Sequence, residues 1–337
     1  MIAVYVIGLA LTFYVAWCLG ANDAANPTDC AVGSGVITLR RAVLLFAIFV
    51  TIGAVLQGFM VMKTIDRGIV PRIEVLGAFT TILAVCIWIT LCTWKGMPIS
   101  TTHSIIGGVI GYGILTYGVH GLEWGVLSIV LISMAVTPIL SMALAFGLYP
   151  VFKTFFVKIS GRLSVSSVER LIKYMLIATL CFSAYAFGAN DIANSTGVFV
   201  TVTKEMGSFP DYSAMILLAA LGSVGIAFGA FTWGHKVIIT GAKRVTRLTP
   251  LMGLSAEFSN AVVVFMFTTI PFILVGWGIP ISTTHSSIGA IIGVGLIRGM
   301  GGIDRAIVTK ISAAWILTIP IVALMSAALY GLVSIFI

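Results

Sequence analysis

The sequence predicts an all-α polytopic membrane protein, made of two inverted-topology repeats with broken or re-entrant helices and roughly 10–12 membrane spans. Three observations carry this expectation. Hydrophobic residues make up 59% of the chain and charged residues only 9%, against roughly 25% charged in a soluble domain. Apolar runs at 2–19, 43–62, 75–94, 104–119, 122–149, 171–188, 212–234, 258–279, 286–297 and 306–337 are each near the ~20 residues of a spanning helix, and none alternates as a barrel strand would. Finally, two polar segments each occur twice, in the same order.

The first pair is Gly20-Ala21-Asn22-Asp23-Ala24-Ala25-Asn26-Pro27-Thr28 and Gly188-Ala189-Asn190-Asp191-Ile192-Ala193-Asn194-Ser195-Thr196. The second is Pro98-Ile99-Ser100-Thr101-Thr102-His103-Ser104 and Pro280-Ile281-Ser282-Thr283-Thr284-His285-Ser286. Gly53-Ala54 and Gly58 match Gly229-Ala230 and Gly234, Glu74 matches Glu257, and Trp94 matches Trp277. Collinear matches of this kind point to a duplicated chain. The halves are expected at 1–150 and 169–337, joined by a basic linker at 151–168. An odd number of spans per half would insert the second upside down, bringing equivalent elements together near the midplane.

Along the chain, the first basic residue is Arg40, so segment 2–19 lacks the flank of a secretory signal and reads as a retained helix. One helix over 2–39 would be about 57 Å long, too long for one span. A break is therefore expected at Gly20–Thr28, where Pro27 removes a backbone donor, followed by a short helix from about 28 to 38. In the second copy Ser195 replaces Pro27. Pro98 and Pro280 favour helix starts at the hydroxyl runs.

The net charge of +8 reads as membrane topology rather than nucleic-acid binding, because the basic residues lie between spans. With 150–173 cytoplasmic, alternation also puts Arg40, Arg41, Lys95, Lys236, Lys243, Arg244, Arg247, Arg298, Arg305 and Lys310 inside, and Lys63, Arg67, Arg72 and Lys204 outside. This bias favours both termini outside. Cys18, Cys30, Cys86, Cys92 and Cys181 form no CxxC pair and read as buried hydrophobes.

Chemically, a broken helix offers free N–H groups and a positive dipole end to an anion, while Asp23 and freed carbonyls suit a hard cation such as Na⁺. A hydroxyl-rich helix start receives a tetrahedral oxyanion without an arginine, and no Lys or Arg lies inside the four segments. Asp23 and Asp191 are costly inside a membrane, roughly 2.5–3.5 kcal/mol each on insertion scales. His103 and His285 either hold their loops through backbone bonds or carry protons. Glu74 and Glu257 read as helix-start acids or as further ligands.

The duplicated GANDxAN segment (20–26 and 188–194) with the duplicated P-[IV]-S-x-T-H segment (98–103 and 280–285) resembles the signature of the inorganic phosphate transporter (PiT) family, over essentially the whole chain. The resemblance implies an inverted-repeat bundle that moves orthophosphate with a cation. Eukaryotic members have a long hydrophilic loop where this chain has only about 150–170.

The expectation is thus a secondary active symporter of the cell membrane, importing inorganic phosphate with Na⁺ by alternating movement of the halves; it is not an enzyme and needs no cofactor. Asn22, Asn26, Ser100, Thr101, Thr102, Ser104, Asn190, Asn194, Ser195, Ser282, Thr283, Thr284 and Ser286 would cradle phosphate. Asp23 and Asp191, with Thr28, Thr196, Glu74 and Glu257, would hold cations, Na⁺ sitting at the two aspartates. Proton coupling, and sulfate or metal–phosphate as cargo, stay open as alternatives. An anion channel and an enzyme acting on phosphorylated lipid are the rivals from other classes. A homodimer is compatible with base rates for oligomers.

Overall fold

The computed structural model describes residues 1–94, 99–235, 237–238, 248–299 and 305–336, and every regular element among them is helical. Lys95 and Pro98, and Lys236, Lys243, Arg244 and Arg247 of the charge pattern, lie outside the described residues. In the first half, α1 spans Ile2–Asp23, α2 Asp29–Gly33, α3 Leu39–Gln57, α4 Phe59–Arg67, α5 Val75–Trp94, α6 Thr101–Tyr117 and α7 Trp124–Ser160. In the second, α8 spans Val165–Thr196, α9 Val200–Gly207, α10 Asp211–Gly229 with a π-turn continuing to Gly234, α11 Pro250–Val275, α12 Thr283–Leu296 and α13 Arg305–Val333.

Eight of the described helices are long and apolar enough to cross a membrane. The runs at 104–119 and 286–297 fold instead into α6 and α12, of 17 and 14 residues. At 1.5 Å per residue these reach about 26 and 21 Å, short of a ~30 Å hydrocarbon core. The reason lies at their N-termini, where the hydroxyl motifs start each helix inside the protein.

The two copies of the first motif fold differently. α1 stops at Asp23, the chain turns through 24–28, and α2 resumes at Asp29. Pro27 has no N–H to continue the ladder, and the Thr28 hydroxyl ties the turn to the Ala24 carbonyl at 2.6 Å. α2 is shorter than the sequence implies, closing before Gly35, whose φ of 73° suits a residue without a side chain. In the second copy, with Ser195 in place of proline, α8 runs on through Thr196. It loosens only afterwards, into a 3₁₀ turn at Gly197–Phe199.

Helices pair across the halves, backbone against backbone. A Cβ on Gly20 would strike the carbonyl of Ile226, and one on Gly229 the carbonyl of Trp17, where α1 crosses α10. Gly188 and Gly53 meet Val50 and Tyr185 in the same way where α8 crosses α3. Gly107 and Gly111 of α6 abut Ile319 and Ala323 of α13, and Gly289 and Gly293 of α12 abut Pro138 and Met142 of α7. Without a hydrophobic driving force between helices in lipid, such small-residue contacts supply the packing that holds helices together. Each crossing thus has a counterpart with the halves exchanged, so the halves interleave rather than face each other as blocks.

Candidate functional site

The four motifs meet inside the bundle. The Thr101 hydroxyl donates to Asp23 Oδ2 at 3.0 Å, and Thr284 of the other half adds a second hydroxyl contact to Asp23. Asp191 is met correspondingly by Thr283 of its own half and by Thr102 of the first. Thr102 Oγ1 lies 3.4 Å from Asp191 Oδ1 and 2.9 Å from the Ile281 carbonyl, and accepts from Asn194 Nδ2 at 3.0 Å. Asn194 Nδ2 also donates to Asp191 Oδ1. Asn26 Nδ2 reaches Thr284 and Thr283 at 3.1 and 3.4 Å. Each aspartate is thus held by the first threonine of its own loop and the second threonine of the other.

Asp191, Asn194 and Thr102 are fully buried, and Asp23 and Thr101 nearly so. Asp191 Oδ2 and Asn194 Oδ1 have no hydrogen-bond partner, although a buried acceptor left unpaired costs roughly 1–3 kcal/mol. Two carboxylates, carboxamides and hydroxyls make an oxygen-rich cage with spare acceptor capacity, the donor set of a hard cation. The hydroxyl and amide protons can turn to an oxyanion.

Other residues of the predicted site position this cluster. Ser100 and Ser282 cap α6 and α12, accepting from the backbone N–H of His103 and His285 at 3.2 and 3.3 Å, as expected of serine at an N-cap. Ser104 donates to the Ser100 carbonyl at 3.0 Å, and Ser286 meets Ser141 at 2.8 Å. Asn190 clamps the loop before α12, donating to the Ile279 carbonyl at 3.1 Å and accepting from Ile281 N–H at 3.2 Å, while also reaching Thr268. Asn22 turns away to Thr93 of α5 at 2.9 Å. Thr28, Ser195 and Thr196 direct their hydroxyls to carbonyls of their own segments.

Glu74 and Glu257 do not share an environment. Glu74 precedes α5 and is exposed, its backbone N–H facing the Tyr112 hydroxyl at 3.4 Å. Glu257 lies in the second turn of α11, buried beside Asn260, Ser183, Asp29 and Cys30. Sequence reasoning missed Asp29, Asn260 and Ser183. The signal for Asp29 was its place just past the helix break, where an acid in an apolar stretch is costly.

A model of the phosphate transporter family matches residues 19–326. Among relatives, a presumed phosphate permease of Pyrococcus abyssi is 32% identical, the match covering 96% of each chain. One of Thermococcus kodakarensis is also 32% identical, over 98% of this chain and 97% of its own. The solved structure of a sodium-dependent phosphate transporter superposes with a TM-score of 0.86 at 29% identity, over 99% of this chain and 100% of that one. With the family model spanning both copies of both motifs, the chain belongs to the phosphate transporter family.

Proposed function

We propose that the chain is a secondary active importer of inorganic phosphate, coupled to Na⁺ and working by alternating access, with its two halves related as inverted repeats. The observation that carries this reading is the crossed bonding of Asp23 and Asp191 to threonines of both loops. A site shared equally between two repeats suits a cargo that must be reached from either side. The paired glycine crossings support the repeat relation, since each contact of one half with the other recurs with the halves exchanged.

Asp23 and Asp191 bind Na⁺, and Asn26, Asn194, Thr101, Thr102, Thr283 and Thr284 orient phosphate. No lysine or arginine belongs to the motifs, so phosphate meets two carboxylates unless cations offset them first. Coupling follows, because phosphate binds well only when the Na⁺ ions are in place. The family relation and the name of the sodium-dependent structural neighbour agree with this assignment.

A proton-coupled symporter is the second reading, favoured by the unpartnered, buried Nε2 atoms of His103 and His285. Uptake of radiolabelled phosphate into proteoliposomes separates the two. Accumulation above equilibrium under an inward Na⁺ gradient, and not under K⁺ or pH gradients, is expected. Accumulation under the pH gradient alone would transfer the coupling to protons, and equilibration without accumulation under every gradient would leave a channel.

A further inference from the structure

Asp29 and Cys30, at the start of α2, face Glu257 of α11, and one ligand atom from each lies within 4.8 Å of the others. All three residues are buried, at 6%, 1% and 1% exposure. The group is separate from the crossed aspartates. Asn260 Nδ2 reaches Glu257 Oε1 at 3.4 Å and Ser183 Oγ at 3.1 Å, closing the same pocket from α11 and α8.

Three acceptors around this point have no partner: Asp29 Oδ1, Glu257 Oε2 and Asn260 Oδ1. Among the described residues, the ion pairs involve Arg67, Arg72 and Lys204 with Asp66, Asp211 and Glu205, and none reaches Asp29 or Glu257. Two carboxylates thus share a buried space while their spare lone pairs, and that of Asn260, remain unused. Buried carboxylates without a counter-charge are strongly disfavoured, and a coordinated cation relieves that. A buried acceptor other than the acids themselves, Asn260 Oδ1, is also left for a ligand.

The donor set narrows the cation. Carboxylate oxygens alone would suit Na⁺, Mg²⁺ or Ca²⁺, but a sulfur among them favours a borderline transition metal. Zn²⁺ takes carboxylate at about 2.0–2.2 Å and thiolate at about 2.3 Å, so the three ligand atoms need only draw together slightly, with Ser183 or Asn260 oxygen as a fourth. At the 168-residue offset of the first motif, Asp29 and Cys30 correspond to Gly197 and Val198, which offer no ligand side chain. The second half therefore does not repeat the group, and one ion per chain is implied.

We propose that Asp29, Cys30 and Glu257 form a binding site for one divalent transition-metal ion of the Zn²⁺ or Co²⁺ class, distinct from the site at Asp23 and Asp191. On binding, the Cys30 thiol gives up its proton to water and the thiolate bonds the metal. Asn260 also connects this site to the central one, because the Ser286 hydroxyl of α12 lies 3.5 Å from the Asn260 carbonyl. The metal thereby braces α2 and α11 beside the loop motif.

Titration of the purified, chelator-treated chain with Co²⁺ in detergent tests the site without any gradient or phosphate, so its outcome is independent of the transport reading. One Co²⁺ per chain with a near-ultraviolet thiolate-to-cobalt charge-transfer band is expected. That band should be lost in Cys30→Ser, weakened in Asp29→Asn and Glu257→Gln, and retained in Cys86→Ser. Monodisperse elution and an unchanged melting temperature of metal-free Cys30→Ser establish that the loss is not misfolding; if that variant does not fold, the isosteric Glu257→Gln and Asp29→Asn variants carry the test. Absence of the band in the unmodified chain, its persistence in Cys30→Ser, or displacement of Co²⁺ by an equal concentration of Na⁺ would overturn the assignment.

Discussion

The imidazoles of His103 and His285 meet edge to face with ring centroids 4.5 Å apart, and each Nδ1 lies 3.2 Å from a carbonyl of the opposite half, Trp315 for His103 and Met134 for His285. A ring nitrogen facing a carbonyl must carry its hydrogen, which makes each Nδ1 a donor. The pair thus ties α6 to α13 and α12 to α7. Among the described residues no acid is bonded to either ring, so neither has a partner there that would hold an added proton.

This arrangement predicts that the histidines act as structural donors. His103→Gln and His285→Gln should each cost about 1 kcal/mol of stability, the net worth of one hydrogen bond, read as a lower melting temperature in detergent. The pH profile of phosphate uptake between roughly pH 6 and 8, where a free histidine titrates, should keep its shape. A flattened profile would instead make the pair proton carriers.

Removing one charge from the crossed cluster has a larger effect. A hydrogen bond to a charged group is worth about 1.5–3 kcal/mol. Asp23→Asn and Asp191→Asn should therefore each weaken Na⁺ activation of uptake by roughly 10- to 150-fold. The two variants should behave alike because their threonine partners are exchanged copies. Na⁺ titrations of initial uptake rate check both, and normal Na⁺ dependence in either would remove that aspartate from the cation site.

Thr102 serves Asp191, Asn194 and the Ile281 carbonyl at once. Thr102→Val keeps its volume and strips all three. Paired with Asp191→Asn in a double-mutant cycle on phosphate affinity, it should give a coupling energy of about 0.5–3 kcal/mol, as neighbours in one network do. Paired with Asn22→Ala, whose side chain bonds Thr93 instead, it should be additive within about 0.5 kcal/mol.

The glycine crossings give a contrast within one residue type. Gly188→Ala places a methyl against the Val50 backbone, whereas Gly125→Ala in α7 meets nothing within 4 Å. Overpacking of the first kind costs typically 1–3 kcal/mol, while the second replaces a poor helix former by the best one, a gain of up to about 1 kcal/mol. Melting temperatures of the two variants should move in opposite directions.

The helical bundle, the break at Pro27 and the helix starts at Thr101 and Thr283 were all legible in the sequence, because composition and proline chemistry act locally. The cluster of Asp23, Asp191, Asn26, Asn194 and the four threonines was legible too, since each polar group carries its cost within an apolar segment. The division of labour was less so. Whether Asn190 faces a ligand or clamps the loop at Ile279 and Ile281 depends on a partner far away in sequence. The pairing of Glu74 with Glu257 rested on residue matching alone, which does not register that one lies before its helix and the other inside it. The Asp29–Cys30–Glu257 group was invisible for the same reason, joining segments that only folding brings together.

The eight interleaved glycines also decide what can move. Where backbones touch with no side chain between them, there is no lubricating layer, and sliding one helix past the other would drive main chain into main chain. α1 with α10, α3 with α8, α6 with α13 and α7 with α12 are each riveted in this way, and every rivet joins a helix from one half to a helix from the other. The closely packed helix pairs of this transporter therefore each draw on both halves of the chain. On the proposed alternating-access reading, a cycle that opens the site to one face and then the other hinges between these mixed blocks, where the aspartates meet hydroxyls that can let go, and not along the boundary between the two halves.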